Sequence, residues 1–548
     1  MSAASAQRSL WDALTAKANS SSRLHCWVGD RFEASSWSEV VRDAESMTAG
    51  LRRAGVAPGE RVAAVLTNGP QVVRGILGVW LSGGALASLP VPARGMDGEE
   101  YGKQLKRICE ELEPTAFLIE ERALGLIPEE LRKELGVRSW ESFQGSGRVE
   151  PSPPSEDELA FIQYSSGSTS EPKGCMLTPR VIKAQLELLM EMLEGSQGQE
   201  VGACWLPLSH DMGMFGCLLT PWAYDFELYL SGPERFMLSP RTWFADVAEV
   251  GATITAATNT ALYLGARAYT SARLPSKLRL RVCIIGAERV RWETLQFALS
   301  ALGPHGLTEQ ALMPAYGLAE ATLAVSATPA NEAPKHLALD AIALAEGRLA
   351  EVSPEDPSAT RVVSAGPPCS GVELPQARTE ELDEIRVRSP SLSTGYFADP
   401  ERTRERFADG ELLSGDLGFV RDGELYPVGR VDDVISVGGR KVHTREIESA
   451  LDGLEGVRRG CSTIVERRDG RAQSLTLLLE LGGEAGDYRS LARSAATVAM
   501  SKAAVALDEC VFLEKGSLPK TPSGKIQRHR TRQMLVSERF QALARVKL

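Results

Sequence analysis

Between Tyr164 and Arg180 the chain reads YSSGSTSEPKGCMLTPR, a run of small hydroxyls and glycines closed by one lysine, directly after the strand-like LAFIQY. Backbone N–H groups in a Gly/Ser-rich turn can converge on one concavity and hold an oxyanion, with hydroxyls and a lysine adding donors. The spacing is not that of a Walker A loop, because Gly167 is followed by STSEPKG rather than by four residues and Gly-Lys-Ser/Thr. A dinucleotide fingerprint is also absent: GSGRVE near Gly145 lacks the third glycine. On composition alone the stretch reads equally as a flexible surface loop. Other residues capable of chemistry stand far along the chain, in IIGAERV, MPAYGLAEAT, LSGDLG, GRVDD and LPKTPSGKIQR. Singly, Asp416 and Asp432 read as turn residues, Glu320 as a solvated helix carboxylate and Lys525 as a surface lysine.

Such residues need a frame. A chain of 548 residues exceeds a single hydrophobic core, so two to four structural units are expected. WSEVVRDAESMTAGLRRAGVAPGERVAAVL places apolar residues at helical spacing, then a turn, then a strand. QVVRGILGVWLSGG before ALASLPV, and WFADVAEVG before ATITAAT, repeat that unit. The alternation predicts an α/β fold with mostly parallel strands. PSPPSEDE, from Pro151, reads as a linker or surface loop. A second break falls near Arg430. Before it, GELLSGDLGFVRDGELYPVGR predicts short strands joined at Arg421-Asp422-Gly423; after it, VDDVISVGGRKVHTREIESALDGL begins a strand–turn–helix pattern. The expected domains are residues 1–429 and 430–548.

The totals exclude several classes. A formal net charge of −11 argues against a general nucleic-acid binder. Nine scattered cysteines without a CxxC pair point away from zinc and redox motifs and suit a reducing cytoplasm. The N-terminus lacks the apolar core of a signal peptide. GILGVWLSGGALASLPVPA approaches membrane-spanning length, but its Gly-Gly pair and two prolines divide it into a buried helix, a turn and a strand.

Taken in order, the motifs resemble those of the adenylate-forming superfamily, which includes acyl-CoA ligases, luciferases and peptide-synthetase adenylation domains. Ser165, Ser166, Gly167, Ser168 and Thr169 with Pro172-Lys173-Gly174 match its phosphate loop, although Ser170 stands where glycine is commonest. The resemblance implies adenine contacts at Gly286, Ala287 and Glu288, and nucleotide contacts at Ala315, Tyr316, Gly317 and Leu318. It also implies a Mg²⁺ site at Glu320 and Thr169, ribose contacts at Asp416 and Arg430, a hinge at Asp432 and a catalytic lysine at Lys525. Ser414 replaces the commoner threonine before Gly415-Asp416. The implied architecture is a large multi-subdomain N-terminal domain of mixed sheets and helices, plus a small α+β C-terminal domain on a hinge.

WLPLSHDMGMFG, at Trp205 to Gly216, together with YGLAEATLAVS, resembles the fatty acyl-AMP ligase branch, and its His210 is the histidine with a functional reading. Lys335 to Pro367 resembles the extra segment that separates those ligases from acyl-CoA synthetases; an ordinary surface excursion is the plain alternative. The implied reaction joins a fatty or fatty-like acid to AMP from ATP, then transfers the acyl group to a carrier-protein phosphopantetheine thiol. The rivals are an acyl-CoA synthetase, a catalytically weak adenylate-binding protein and an amino-acid adenylation domain. Met214, Phe215, Trp222 and Met237 could line an adaptable acyl pocket, or pack a helix into the core. From Lys515 to Leu548 nine basic residues face one acid, Glu538, which suggests a docking face for an acidic carrier protein or simply a solvated surface.

Overall fold

A computed structural model describes residues 8–92, 98–143, 147, 149–164, 172–375, 382–431, 434–437, 440–469, 472–483, 487–520 and 526–548. Ser165, Ser166, Gly167, Ser168 and Thr169 of the phosphate-loop match, with Ser170, the hinge position Asp432 and Lys525, lie outside the described residues.

Two largely parallel sheets dominate the first 330 residues. The larger runs, edge to edge, Ala324–Ala327, Leu312–Gly317, Val282–Gly286, Ile254–Thr258, Val201–Cys204, Glu227–Leu230, Arg23–Val28 and Arg31–Ser36. Only its two outermost pairings are antiparallel. The smaller runs Val137–Ser139, Ala116–Ile119, Arg61–Val65, Ala85–Leu89, Phe161–Tyr164 and Gly174–Leu177, with the last pair antiparallel. Strands covered on both faces read as near-continuous apolar runs, as in ALASL and ITAAT. The uncharged run near residue 80 is helix Pro70–Leu81 followed by strand Ala85–Leu89, both buried. PSPPSEDE is a surface loop inside this unit, held where the Trp11 indole donates to Pro154 O at 2.8 Å.

Beyond them, Asp383–Val387, Glu411–Arg421, Phe407–Ala408 and Glu424–Arg430 form an antiparallel sheet. Its long hairpin turns at Asp422 (φ 53°) and Gly423 (φ 79°), the two positive φ angles that favour such a dipeptide. The segment after Arg430 differs from the expected strand–turn–helix. It is a strand pair, Val434–Val437 with Arg440–His443, and only then helix Thr444–Leu451. The smaller C-terminal domain is built on the four-stranded sheet Val457–Asp469, Ala472–Leu481, Glu509–Leu513 and Ala542–Lys547, with helices Tyr488–Ala503 and Arg528–Val536.

The segment Lys335 to Pro367 is structured. His336–Asp340 pairs antiparallel with Ala359–Val363, and helix Ala341–Ala345 lies between them in sequence. Leu339, Leu344 and Val362 share a core with Phe419, Tyr426 and Val428 of the long hairpin. Ala345 is buried in the C-terminal domain's own core, beside Val442, Ile447 and Ala495. Across the same junction Arg291 pairs with Asp452, Arg530 meets Glu100 at 2.5 Å, and the Arg459 guanidinium sits 4.7 Å over the Tyr263 ring. Among the described residues no helix is long and apolar enough to cross a membrane.

Candidate active site

In open parallel sheets the C-terminal strand ends leave a crevice with free backbone groups, where ligands bind. Here Tyr164, Cys204, Gly286 and Gly317 each end a strand. A cavity of about 830 Å³ opens beyond them, lined also by Thr444, Arg445, Ile526, Arg528 and Arg532 of the C-terminal domain. Lys173, His210, Gly286, Ala287, Glu288, Ala315, Tyr316, Gly317, Leu318, Glu320, Asp416 and Arg430 all line it. These residues, spread over more than 250 positions of sequence, therefore share one space. Ile526, the neighbour of Lys525 in sequence, lines the same cavity.

Each side chain is held by local structure. Gly317 ends its strand where a Cβ would stand 1.9 Å from Leu323 O, so only glycine lets the chain turn back against itself. That turn, closed by Leu318 N–H to Leu323 O at 2.8 Å, presents Glu320. Asp416 and Arg430 face each other across the hairpin register, with Nε to Oδ1 at 3.4 Å. The Tyr316 hydroxyl donates to Asp416 Oδ2 at 2.9 Å, and the Asp416 N–H donates to Ser414 Oγ at 3.1 Å. Burial, reinforced by the Asp416 charge, pushes the Tyr316 phenol well above its ordinary pKa. It therefore stays a neutral donor. Glu288 accepts from the Thr260 N–H at the start of helix Asn259–Arg267, where a carboxylate suits the unpaired amides.

His210 lies in the cavity wall with Nδ1 2.5 Å from Asp211 Oδ1. The Met212 N–H reaches the same Nδ1 at 3.3 Å and donates to Asp211 Oδ1 at 2.7 Å. Burial lowers the Lys173 pKa; Glu320 opposes the shift, and Arg402, Arg406 and Arg430 add to it. Lys173, Arg402 and Arg430 bring positive charge to one end of the cavity, with the Glu320 and Asp416 carboxylates among them.

The other end is apolar. Leu189, Met192 and Leu193 at the end of helix Pro179–Met192, with Phe226, Leu228 and Ile254, close the cavity. Small residues Gly202, Ala203 and Gly216 leave room along it.

Met214, Phe215, Trp222 and Met237 do not line this cavity, contrary to the pocket expected for them. The segment Met212–Leu219 is π-helical, so its faces recur every four to five residues. Met212, Gly216, Cys217 and Pro221 face the cavity, while Met214, Phe215 and Trp222 are buried in the main core. Trp222 stacks on Trp37 at 5.3 Å, and Phe215 meets Phe161 edge-on at 5.6 Å. Met237, 66% exposed, ends a short helix on the surface.

Three residues without a signal in the sequence reading also shape the site. Tyr396 donates to Glu320 Oε1 at 2.8 Å. Arg402 lines the cavity from helix Pro400–Arg406. Buried Asn68 donates to Leu206 O (2.8 Å) and Ser231 O (2.7 Å) and accepts from Leu208 N–H (3.0 Å), which fixes the run leading to His210. No local pattern marks any of them; their partners lie 76 to 163 positions away in sequence, or in a cavity formed only by folding.

The AMP-binding enzyme family matches residues 14–397, well over half of the chain. The chain belongs to that family. Within the family it falls in the fatty acyl-AMP ligase-like branch of the adenylate-forming superfamily. The medium-chain fatty acid–acyl-carrier-protein ligase JamA of Moorena producens is 33% identical over 397 residues, covering 68% of this chain and 67% of the relative. The long-chain-fatty-acid–AMP ligase FadD32 of Mycolicibacterium smegmatis is 29% identical over 443 residues, 70% of each chain. A chain solved in studies of fatty acyl-adenylate ligases from E. coli and L. pneumophila superposes with a TM-score of 0.87, at 24% identity over 97% of this chain and 98% of that one. That likeness bears on the fold.

Chemically, this cavity can hold a polyanion at one end and an aliphatic chain at the other. Among the described residues no three His, Cys, Asp or Glu side chains converge as a metal cage. The Glu320 carboxylate, bonded at one oxygen by Tyr396 and near Lys173, fits Mg²⁺, which is commonly held by one or two carboxylates and the phosphates of a bound nucleotide.

Proposed function

We propose that this protein activates a fatty or fatty-like carboxylic acid with ATP, releasing pyrophosphate, and passes the acyl group to the phosphopantetheine thiol of an acyl carrier protein. The observation that carries the proposal is the single cavity that joins Lys173, Glu320, Tyr316, Asp416 and Arg430 to an apolar channel. The names of the two relatives support the acid and the carrier acceptor.

A carboxylate oxygen attacks the α-phosphorus, the bond to the bridging oxygen of the β-phosphate breaks, and pyrophosphate leaves. Charge gathers on the transferring group, so fixed donors aimed at it lower the barrier. Lys173 and the Ser165–Thr169 amides and hydroxyls hold the leaving phosphates. Asp416 and Arg430 take the ribose, Tyr316 and Gly317 flank the nucleotide, and Gly286, Ala287 and Glu288 meet adenine. His210 orients the acid's carboxylate at the mouth of the channel. Glu320, with Thr169, would hold Mg²⁺, which would supply positive charge to the phosphates. Residues 430–548 form a mobile domain pivoting at Asp432, and Lys525 swings in to bridge carboxylate and α-phosphate. A second closure admits the thiol. Nine free thiols, eight of them buried, support a reducing cytoplasmic setting.

ATP–pyrophosphate exchange over a panel of acids of increasing chain length, followed by acyl transfer to a phosphopantetheinylated carrier or to CoA, tests the proposal. Acid-dependent exchange and a carrier-bound product are expected; no exchange with any acid sinks it, and transfer to CoA alone sinks the acceptor. Lys525→Ala should lower exchange by roughly 10²–10³-fold, the usual effect of removing one transition-state donor. Thiolysis of pre-made acyl-AMP should fall far less; equal losses would contradict the two closures.

A further inference from the structure

We propose that Tyr396 is a positioning residue of this site: its hydroxyl sets the Glu320 carboxylate, and its ring keeps the Lys173 ammonium apart from that carboxylate. The inference rests on the adenylation reading above and assigns a role that no motif indicated.

The placement is built rather than incidental. Residues 391–397 stitch together the two elements that carry the charges. On one side Ser393 N–H donates to Glu320 O at 2.8 Å, and Thr322 Oγ1 donates to Ser391 O at 2.7 Å. On the other, Met176 N–H donates to Gly395 O, Thr394 N–H to Met176 O and Phe397 N–H to Gly174 O, all at 2.8–2.9 Å, so the segment pairs with the strand that starts beside Lys173. Tyr396 N–H donates to Thr403 Oγ1 at 2.9 Å, and its ring meets Phe407 edge-on at 5.7 Å. The tyrosine is 4% exposed, with both backbone and ring fixed.

From that position the phenol donates to Glu320 Oε1 at 2.8 Å, while Lys173 Nζ lies 5.8 Å from the ring centroid, within cation–π reach. A phenol keeps its proton at neutral pH, so this hydroxyl is a donor to the carboxylate. Bonding one carboxylate oxygen leaves Oε2 for a cation. The ring matters because an ammonium and a carboxylate drawn partly out of water attract strongly. Collapsed onto each other, they would take from the site both its phosphate-binding cation and its metal-binding anion.

Tyr396→Phe and Tyr396→Leu in the full chain separate the two parts. ATP binding is measured calorimetrically without acid, in EDTA and again in excess Mg²⁺. The phenylalanine variant should keep the EDTA affinity within about twofold and lose roughly tenfold of the tightening that Mg²⁺ gives, as expected for a lost hydrogen bond to a charged group. The leucine variant should in addition lose roughly tenfold in EDTA. In a Glu320→Gln background, adding Tyr396→Phe should change nothing further. Glu320→Asp, which draws the carboxylate away from an intact tyrosine, should reproduce the phenylalanine result and keeps the test open if the tyrosine variants fail to fold. An unchanged Mg²⁺ response in Tyr396→Phe overturns the hydroxyl's role, and equal EDTA affinities for Phe and Leu overturn the ring's. A uniform loss with and without Mg²⁺, alongside a lowered Tm, marks a merely structural tyrosine and overturns both. A parent chain that binds no ATP would instead overturn the adenylation reading, an outcome distinct from all of these.

Discussion

Burial lowers the pKa of Lys173, and three arginines add to the shift against the pull of Glu320. An ordinary lysine titrates near pH ~10.4, so this ammonium gives up its proton at a lower pH than its neighbours on the surface. Above that point the phosphates lose a cation, and adenylation falls. The expected alkaline limb of the exchange rate therefore begins below the usual lysine range, and Lys173→Arg, which cannot deprotonate there, moves it upward. A limb unmoved by that substitution would assign the titration elsewhere. Asp416 is an acceptor shared between Arg430 and the Tyr316 hydroxyl. The pair is legible as two separated motifs, GD and GR, but only the hairpin register puts them opposite each other.

At the scale of elements, the π-helical run Met212–Leu219 decides which side chains face the cavity. Gly216 lies on the cavity face, and a Cβ there would come 3.2 Å from Leu323 Cδ2. Gly216→Val should narrow the channel and lower turnover of long acids relative to short ones by roughly tenfold, the scale of one or two methylenes in an apolar pocket. Met214, fully buried on the opposite face, should behave otherwise. Met214→Ala is expected to cost about 2–5 kcal/mol of stability, read as a lower midpoint in urea, with the order of preferred acids unchanged. The reverse pattern, a shifted preference with Met214→Ala and none with Gly216→Val, would return the channel to the face first expected from the sequence.

Over the whole molecule, the basic tail is less of a single face than its sequence suggests. Arg528 pairs with Glu448, Arg530 with Glu100 and Arg545 with Glu509, while Lys520 donates to Gly460 O. Lys515, Arg539 and Lys547 remain exposed on the surface. If a carrier docks there, raising the ionic strength should weaken carrier-dependent turnover and barely alter exchange, because surface pairing between proteins is screened far more than contacts inside a cavity. Equal salt dependence of both half-reactions would remove the tail from docking. The segment Lys335 to Pro367 is also more than an excursion: its strand pair shares a core with the long hairpin, and Ala345 lies in the core of the C-terminal domain.

The chain's own text was sufficient for the α/β alternation, the turn at Asp422-Gly423 and the described polar residues that meet in the cavity, because these depend on local periodicity, turn chemistry and short motifs. It did not disclose that Tyr396 reaches Glu320, that Asn68 holds the run before His210, or that Met214 and Phe215 turn away from the cavity. Those facts depend on which distant elements pack together and on the pitch of one helix. An alternation of apolar and polar residues encodes a face, whereas the occupant of that face is chosen only when the whole chain closes around it.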